Sequence, residues 1–133
     1  NDIINISNRL KCVAFVNKGA RVADIGTDHA YLPIYLVQNG ISNKVHACDV
    51  RKEPLRRAQL HIDEYGLSDK ITTQLCDGLK GINKGDVDTV TICGMGGKLM
   101  KSILQAGIDK LGYNTQLVLS AQSELRDFRS ISF

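Results

Sequence analysis

Four short apolar segments of this chain end in residues able to handle a small ligand: Asp24-Ile25-Gly26, Asp49-Val50, Asp77-Gly78 and Gly94-Met95-Gly96-Gly97. A carboxylate at a strand end can accept hydrogen bonds from ribose hydroxyls, and a glycine lets backbone approach whatever is bound. Asp49 lies 23 positions after Gly26, close to the offset of roughly 20 at which an acidic residue meets a ribose in nucleotide-binding folds. Asp77 could accept from an exocyclic adenine amine, with Val50 and Leu79 offering apolar faces to the ring. Asp24 could orient the turn or bind a ligand's ammonium through water. Singly, each aspartate reads as turn or cap chemistry. Three at one edge, in register with a glycine turn, read as a site.

The stretch Val22 to Pro33, Val-Ala-Asp-Ile-Gly-Thr-Asp-His-Ala-Tyr-Leu-Pro, narrows the ligand. A strand that turns at Gly26 and feeds a helix is the first nucleotide-binding unit of a doubly wound domain. A dinucleotide fold sets further glycines there, so that backbone N–H groups reach a pyrophosphate at the helix N-terminus. Here those places hold Asp28 and Ala30, and a carboxylate at that mouth repels a pyrophosphate. The turn suits a ligand that wants a negative neighbour, and S-adenosylmethionine, with its sulfonium and ammonium charges, is one.

Gly94 to Gly97 admits three uses: an anion cradle, close packing of a strand on its helix, or a turn that lets backbone approach a transferred methyl and its acceptor. The third is preferred here, since the lysine-serine/threonine ending of a P-loop is missing, although Lys98 follows. His29 and Tyr31 carry weaker signals. A lone histidine is usually structural, no second and third ligand accompany it for a metal, and Tyr31 could pack a helix start or stack a base. Arg51, Lys52, Arg56 and Arg57 form a basic cluster that reads as solvated surface, with phosphate contacts possible.

Alternating strand and helix signals position these groups. A helix is expected from about Ser7, with Leu10, Val13 and Ala14 on one face. Strands follow at Arg21 to Ile25, Lys44 to Cys48, Ile71 to Leu75, Thr89 to Cys93 and Gln116 to Ser120. Between them lie helices from Tyr31 to Asn39, from Pro54 to Gly66 with Leu55, Ala58, Ile62 and Tyr65 inward, and from the glycine turn to about Lys110. A last helix is expected near Glu124. The pattern implies an α/β fold, Rossmann-like and doubly wound, with a mainly parallel sheet of order 3-2-1-4-5.

With 133 residues the chain suffices for one domain with a real core and not for two. Hydrophobic residues at 43% and charged ones at 23% place it among soluble globular chains, with no apolar run long enough to span a bilayer. The net charge of +3 is compatible with a polyanion partner without arguing for one. Cys12, Cys48, Cys76 and Cys93 form no C-x-x-C pair and read as reduced, mostly buried thiols of a cytoplasmic protein.

The stretch Val22 to Pro33 resembles the signature of bacterial tRNA (adenine-22-N1) methyltransferases, the TrmK family. The likeness continues through Ser7-Asn8-Arg9-Leu10, Tyr35 to Gly40, Tyr65-Gly66-Leu67, Asp77-Gly78-Leu79 and Gly94-Met95-Gly96-Gly97, and covers nearly the whole chain. It implies a class I methyltransferase-type domain over residues 1–133, with S-adenosylmethionine as cofactor and N1 of a tRNA adenine as acceptor. On this reading Asp24, Gly26, Asp49, Val50, Asp77, Gly78 and Gly94 serve the cofactor. Arg9, His29, Tyr31 and Met95 serve the substrate, with no metal. Many members have Gln-Pro-Asn after strand five where this chain reads Ser120-Ala121-Gln122-Ser123, so Gln122 stands as the substitute. The resemblance also implies a fragment lacking the last strands and a C-terminal helical domain, and a monomer is expected.

Adenine N1 is a neutral lone pair, so attack needs no strong base, and the product ring is cationic. Asp28 is the candidate for stabilising that charge. A non-catalytic nucleic-acid-binding module and an NAD(P)-dependent oxidoreductase remain as alternatives, the latter disfavoured by the missing glycines.

Overall fold

The computed structural model describes residues 9–121 and the backbone of 129–132. Its sheet has six strands: β1 Arg21–Ile25, β2 Lys44–Asp49, β3 Ile71–Leu75, β4 Thr89–Met95, β5 Gln116–Ala121 and β6 Arg129–Ser132. Their order is β3-β2-β1-β4-β5-β6. The first five are parallel, in the expected order, and β6 adds an antiparallel edge on β5. The helix expected near Glu124 falls on 122–128, outside the described residues, and 129–132 are strand. Ser7 also lies outside them.

Helices α1 (Tyr31–Gln38), α2 (Lys52–Glu64) and α3 (Gly97–Ala106) connect the strands. Successive strand residues face opposite sides of a sheet, so Val22 and Ala23 enter different cores. One core joins Val22, Val45 and Ile71 to Leu32 and Leu36 of α1 and Ala58 and Ile62 of α2. The other joins Ala23, Ile25, Val90 and Ile92 to Met100, Ile103 and Leu104 of α3.

Three expectations change. Tyr65, placed inward by helical spacing, follows the end of α2 and is 57% exposed. The helix of residues 97–110 ends at Ala106 and gives way to a 3-10 turn at Ile108–Lys110. Cys12 and Cys93, 81 positions apart, are joined as a disulfide, and only Cys48 and Cys76 are free thiols among the described residues. The short helical turn Cys12–Phe15 packs beside β5. Linear spacing cannot show that this brings Cys12 to the end of β4.

Candidate active site

In an open parallel sheet the ligand crevice lies outside the carboxyl ends of the strands, where the strand order reverses. Here β1 lies between β2 and β4, and a cleft of about 430 Å³ opens beyond their ends. The turn after β1 forms one of its walls. Gly26 has φ +73°, and a Cβ there would sit 2.7 Å from the Met95 Cε. The N–H groups of Gly26 and Thr27 both donate to the Cys48 carbonyl at 2.9 Å, which ties the turn to β2.

Asp24 lies beneath this turn and does not line the cleft. Its oxygens accept from the Thr91 hydroxyl at 2.6 Å and the Thr27 hydroxyl at 2.8 Å. Burial pushes its pKa up to about 6, and the two threonine hydrogen bonds only partly oppose that. Of the two roles open to it from sequence, the structure supports orienting the turn.

Asp49 does reach the cleft, with its side chain 2% exposed. It accepts from the Asp28 N–H at 2.9 Å, the Arg51 N–H at 2.9 Å and the Arg51 Nε at 3.2 Å. Burial alone would raise its pKa; the hydrogen bonds from Arg51 and the Asp28 backbone outweigh burial and hold it below the usual carboxylate range. Arg51, read from sequence as surface charge, is therefore part of the site. Its signal was its place two residues after a strand-end aspartate.

Asp28 has φ 60° and Ala30 φ 63°, left-handed values that an aspartate accepts far better than most L residues. The N-cap of α1 is Ala30, with no side-chain cap, so Asp28 does not cap this helix. Its carboxylate meets Arg9 at 3.6 Å, Arg51 at 3.5 Å and the His29 Nδ1 at 3.3 Å. Arg9, assigned to the substrate side from sequence, has its guanidinium turned to the chain itself. Nη1 donates to the carbonyls of Gly26 at 3.0 Å and Thr27 at 3.2 Å. The side chain is 12% exposed, and its Nε would lie 3.1 Å from a Cβ at Gly94. Arg9 lines the cleft while it staples the β1 turn and rests on the β4 turn.

The opposite wall is the β4 turn. The β4–β5 register shifts between Cys93 and Met95, and Gly94 has φ +94°. Met95, Gly78, Asp77 and the exposed Val50 line the cleft as expected. Asp77 is exposed and pairs with Lys80 at 3.3 Å. Leu79 does not face the cleft: it is buried, and packs so tightly on Gly107 that a Cβ there would meet it at 2.6 Å. Leu99 and Ile103, one helical turn apart on α3, supply apolar wall instead, a pair that sequence reasoning missed. Cys76 also lines the cleft. Its thiol is drawn down to about 7, chiefly by hydrogen bonding with Cys48, while the buried Cys48 thiol is pushed up. His29 and Tyr31 stand outside the cleft, at its rim.

Residues 6–133 match the family model described as a methyltransferase domain. The tRNA (adenine(22)-N(1))-methyltransferase of Bacillus subtilis (strain 168) is 42% identical over 117 residues, 87% of this chain and 49% of that protein. The crystal structure of the B. subtilis M1A22 tRNA methyltransferase TrmK has a TM-score of 0.81 at 39% identity, covering 84% of this chain and 48% of that one. A Streptococcus pneumoniae protein solved in complex with S-adenosyl-L-methionine has a TM-score of 0.81 at 36% identity, covering 90% and 58%. The chain spans about half the length of the curated relative it matches.

Proposed function

Since the chain belongs to the methyltransferase domain family, we propose that it binds S-adenosylmethionine in this cleft and methylates N1 of an adenine in tRNA, at position 22 as its B. subtilis relative is named for. The observation that carries the reading is the fit of the cleft to a nucleoside with a cationic tail. A buried, ionised Asp49 stands at the end of β2, and Gly26 and Gly94 line the same cleft with backbone bare of side chains. Its volume of about 430 Å³ is in the range of small-molecule sites. The carboxylate of Asp28 in the mouth disfavours the pyrophosphate of a dinucleotide. The working place is the cytoplasm, where tRNA is the polyanionic partner.

Asp49 would accept from the ribose, Asp77 and Val50 would hold the adenine, and Gly26, Gly78 and Gly94 would let backbone approach. When bound, the cofactor supplies an activated methyl group. Everything else falls to the chain. The acceptor nitrogen needs no base, so the chain's task is to orient the ring and stabilise the positive charge it gains. Asp28 is the group for that charge, held in place by Arg9 and Arg51. Arg51 also covers both oxygens of Asp49, so a ribose at Asp49 competes with Arg51 for the same carboxylate.

Calorimetric titration with S-adenosylhomocysteine tests the cofactor half. Asp49→Ala should weaken binding by about 1–3 kcal/mol, the scale for losing a hydrogen bond to an ionised group. Unchanged affinity in a folded variant removes Asp49 from the site. Mass spectrometry of tRNA incubated with protein and cofactor tests the other half, and absence of N1-methyladenine overturns the activity.

A further inference from the structure

Beside the cleft, a groove of about 250 Å³ runs between α1 and α2, lined by Leu10, Tyr31, Tyr35, Gln38, His61 and Tyr65 among others. Its lining is mainly aromatic with polar tips, and Leu10 and Ile34 are its aliphatic members. Tyr35 is 40% and Tyr65 57% exposed, a large aromatic area on these two helices. Three rings cluster here, of which Tyr31 and His61 line the groove. The centroids of His29 and Tyr31 lie 5.7 Å apart, Tyr31 and His61 6.0 Å, and His29 and His61 6.1 Å.

Two features connect this groove to the site. His29 follows Asp28 in the chain, contacts its carboxylate, and belongs to the ring cluster. The His61 Nδ1 lies 3.4 Å from the His29 carbonyl, so the groove begins where the mouth of the cleft ends. Arg57, His61 and Tyr65 follow one another at four-residue spacing, which aligns them along one face of α2 and its end, with Arg57 also 3.6 Å from Glu53.

We propose that this groove is a second nucleobase site, which stacks an unpaired nucleotide flanking the one that is methylated. The inference rests on the RNA-methyltransferase reading and deepens it. An enzyme that acts on a base must take it out of its stack, which leaves the neighbouring base without a partner. Unstacked RNA bases are held by aromatic faces, with cations on the backbone. Tyrosine and histidine provide the faces, and Arg57, one helical turn before His61, provides a cation. A groove of about 250 Å³ has room for one base and its sugar.

The test places 2-aminopurine, whose fluorescence falls on stacking, on either side of the target adenine in a tRNA transcript, with S-adenosylhomocysteine present. Wild-type protein should quench one of the two positions. The double variant Tyr35→Leu, Tyr65→Leu keeps apolar bulk but removes the aromatic faces. It should lose the quench and bind the transcript about tenfold more weakly, with S-adenosylhomocysteine affinity unchanged. Tyr35→Phe with Tyr65→Phe should retain both. Leucine variants that quench and bind as wild type overturn the proposal, as does a loss of affinity with the quench intact, which would mean that the groove holds something other than the flanking base. Wild-type protein that methylates tRNA yet quenches neither position overturns the groove alone. Wild-type protein that binds cofactor but does not methylate tRNA overturns the activity and the groove with it.

Discussion

The cleft has two glycine turns for walls, and they are built in opposite ways. The β1 turn is bonded on every side. Gly26 and Thr27 hang from Cys48, the Asp28 N–H from Asp49, Thr27 from Asp24, and the Arg9 guanidinium spans two of its carbonyls. The β4 turn begins at a register shift and leads into α3, which has no fully buried residue and no side-chain cap. It touches the β1 turn through contacts alone: Met95 against Gly26, and Gly94 against Arg9. A network of satisfied hydrogen bonds fixes geometry, whereas a wall held by packing can adjust. The rigid wall suits the molecule that must be held the same way in every turnover. The adjustable one suits an acceptor that arrives attached to something large.

The largest effect is expected at Asp28, in the rigid wall. If its charge serves the cationic ring, Asp28→Asn should lose about 10²–10³ in single-turnover methylation while keeping cofactor affinity. Asparagine tolerates the left-handed backbone, so wild-type turnover in this variant would leave Asp28 with a structural role only.

A second effect belongs to Asp24, in the buried layer of the same wall. Its folded pKa of about 6 lies above the ordinary value of 3.8, so the folded state prefers it protonated. The stability this gives is fully present below about pH 4 and lost as pH rises through 6. The difference is about 3 kcal/mol. Asp24→Asn should therefore match wild type in acid and exceed it by up to about that much at pH 7. Parallel melting curves from pH 4 to 7.5 measure the gap; a constant gap would show that Asp24 does not titrate in this range.

The smallest effects separate two glycines of the adjustable wall. Gly94→Ala must hold φ near +94° and push a Cβ to 3.1 Å from the Arg9 Nε, which should cost about 1–2 kcal/mol and disturb the opposite turn through Arg9. Gly96→Ala meets nothing within 4 Å, at φ −63°, and should stay within about 0.5 kcal/mol. Chemical denaturation of both variants checks the pair, and equal costs would mean that the two walls do not communicate through Arg9.

Much of this was legible in the sequence where a local rule sufficed. β1 and β3 were placed to the residue, and the Leu55, Ala58, Ile62 stripe of α2 gave its buried face. Helical spacing misled at Tyr65 because the helix ends one residue earlier, after which the 3.6-residue period no longer applies. Strand ends located Gly26, Asp49, Asp77 and Gly94 at one edge, since a parallel sheet brings all its carboxyl ends there. What a side chain faces at that edge depends on partners remote in sequence. Asp24 turned out to bind Thr91, 67 positions away, and Arg9 reached the carbonyls of a turn 17 and 18 positions on. Leu79, an apolar residue beside a glycine, was drawn into the core by Gly107. The Cys12–Cys93 bond was hidden for the same reason.

The cage around Asp28 has a consequence for anything that approaches from solution. Asp28 and Asp49 are two negative charges at the mouth of a site proposed to receive a polyanion. Arg9 and Arg51 are two positive charges in contact with them. From a Debye length away, about 8–10 Å in physiological salt, the four cancel and the mouth shows a phosphate backbone almost no field. Attraction must then come from elsewhere on the surface, and the carboxylates are felt only by a group that has already entered between them.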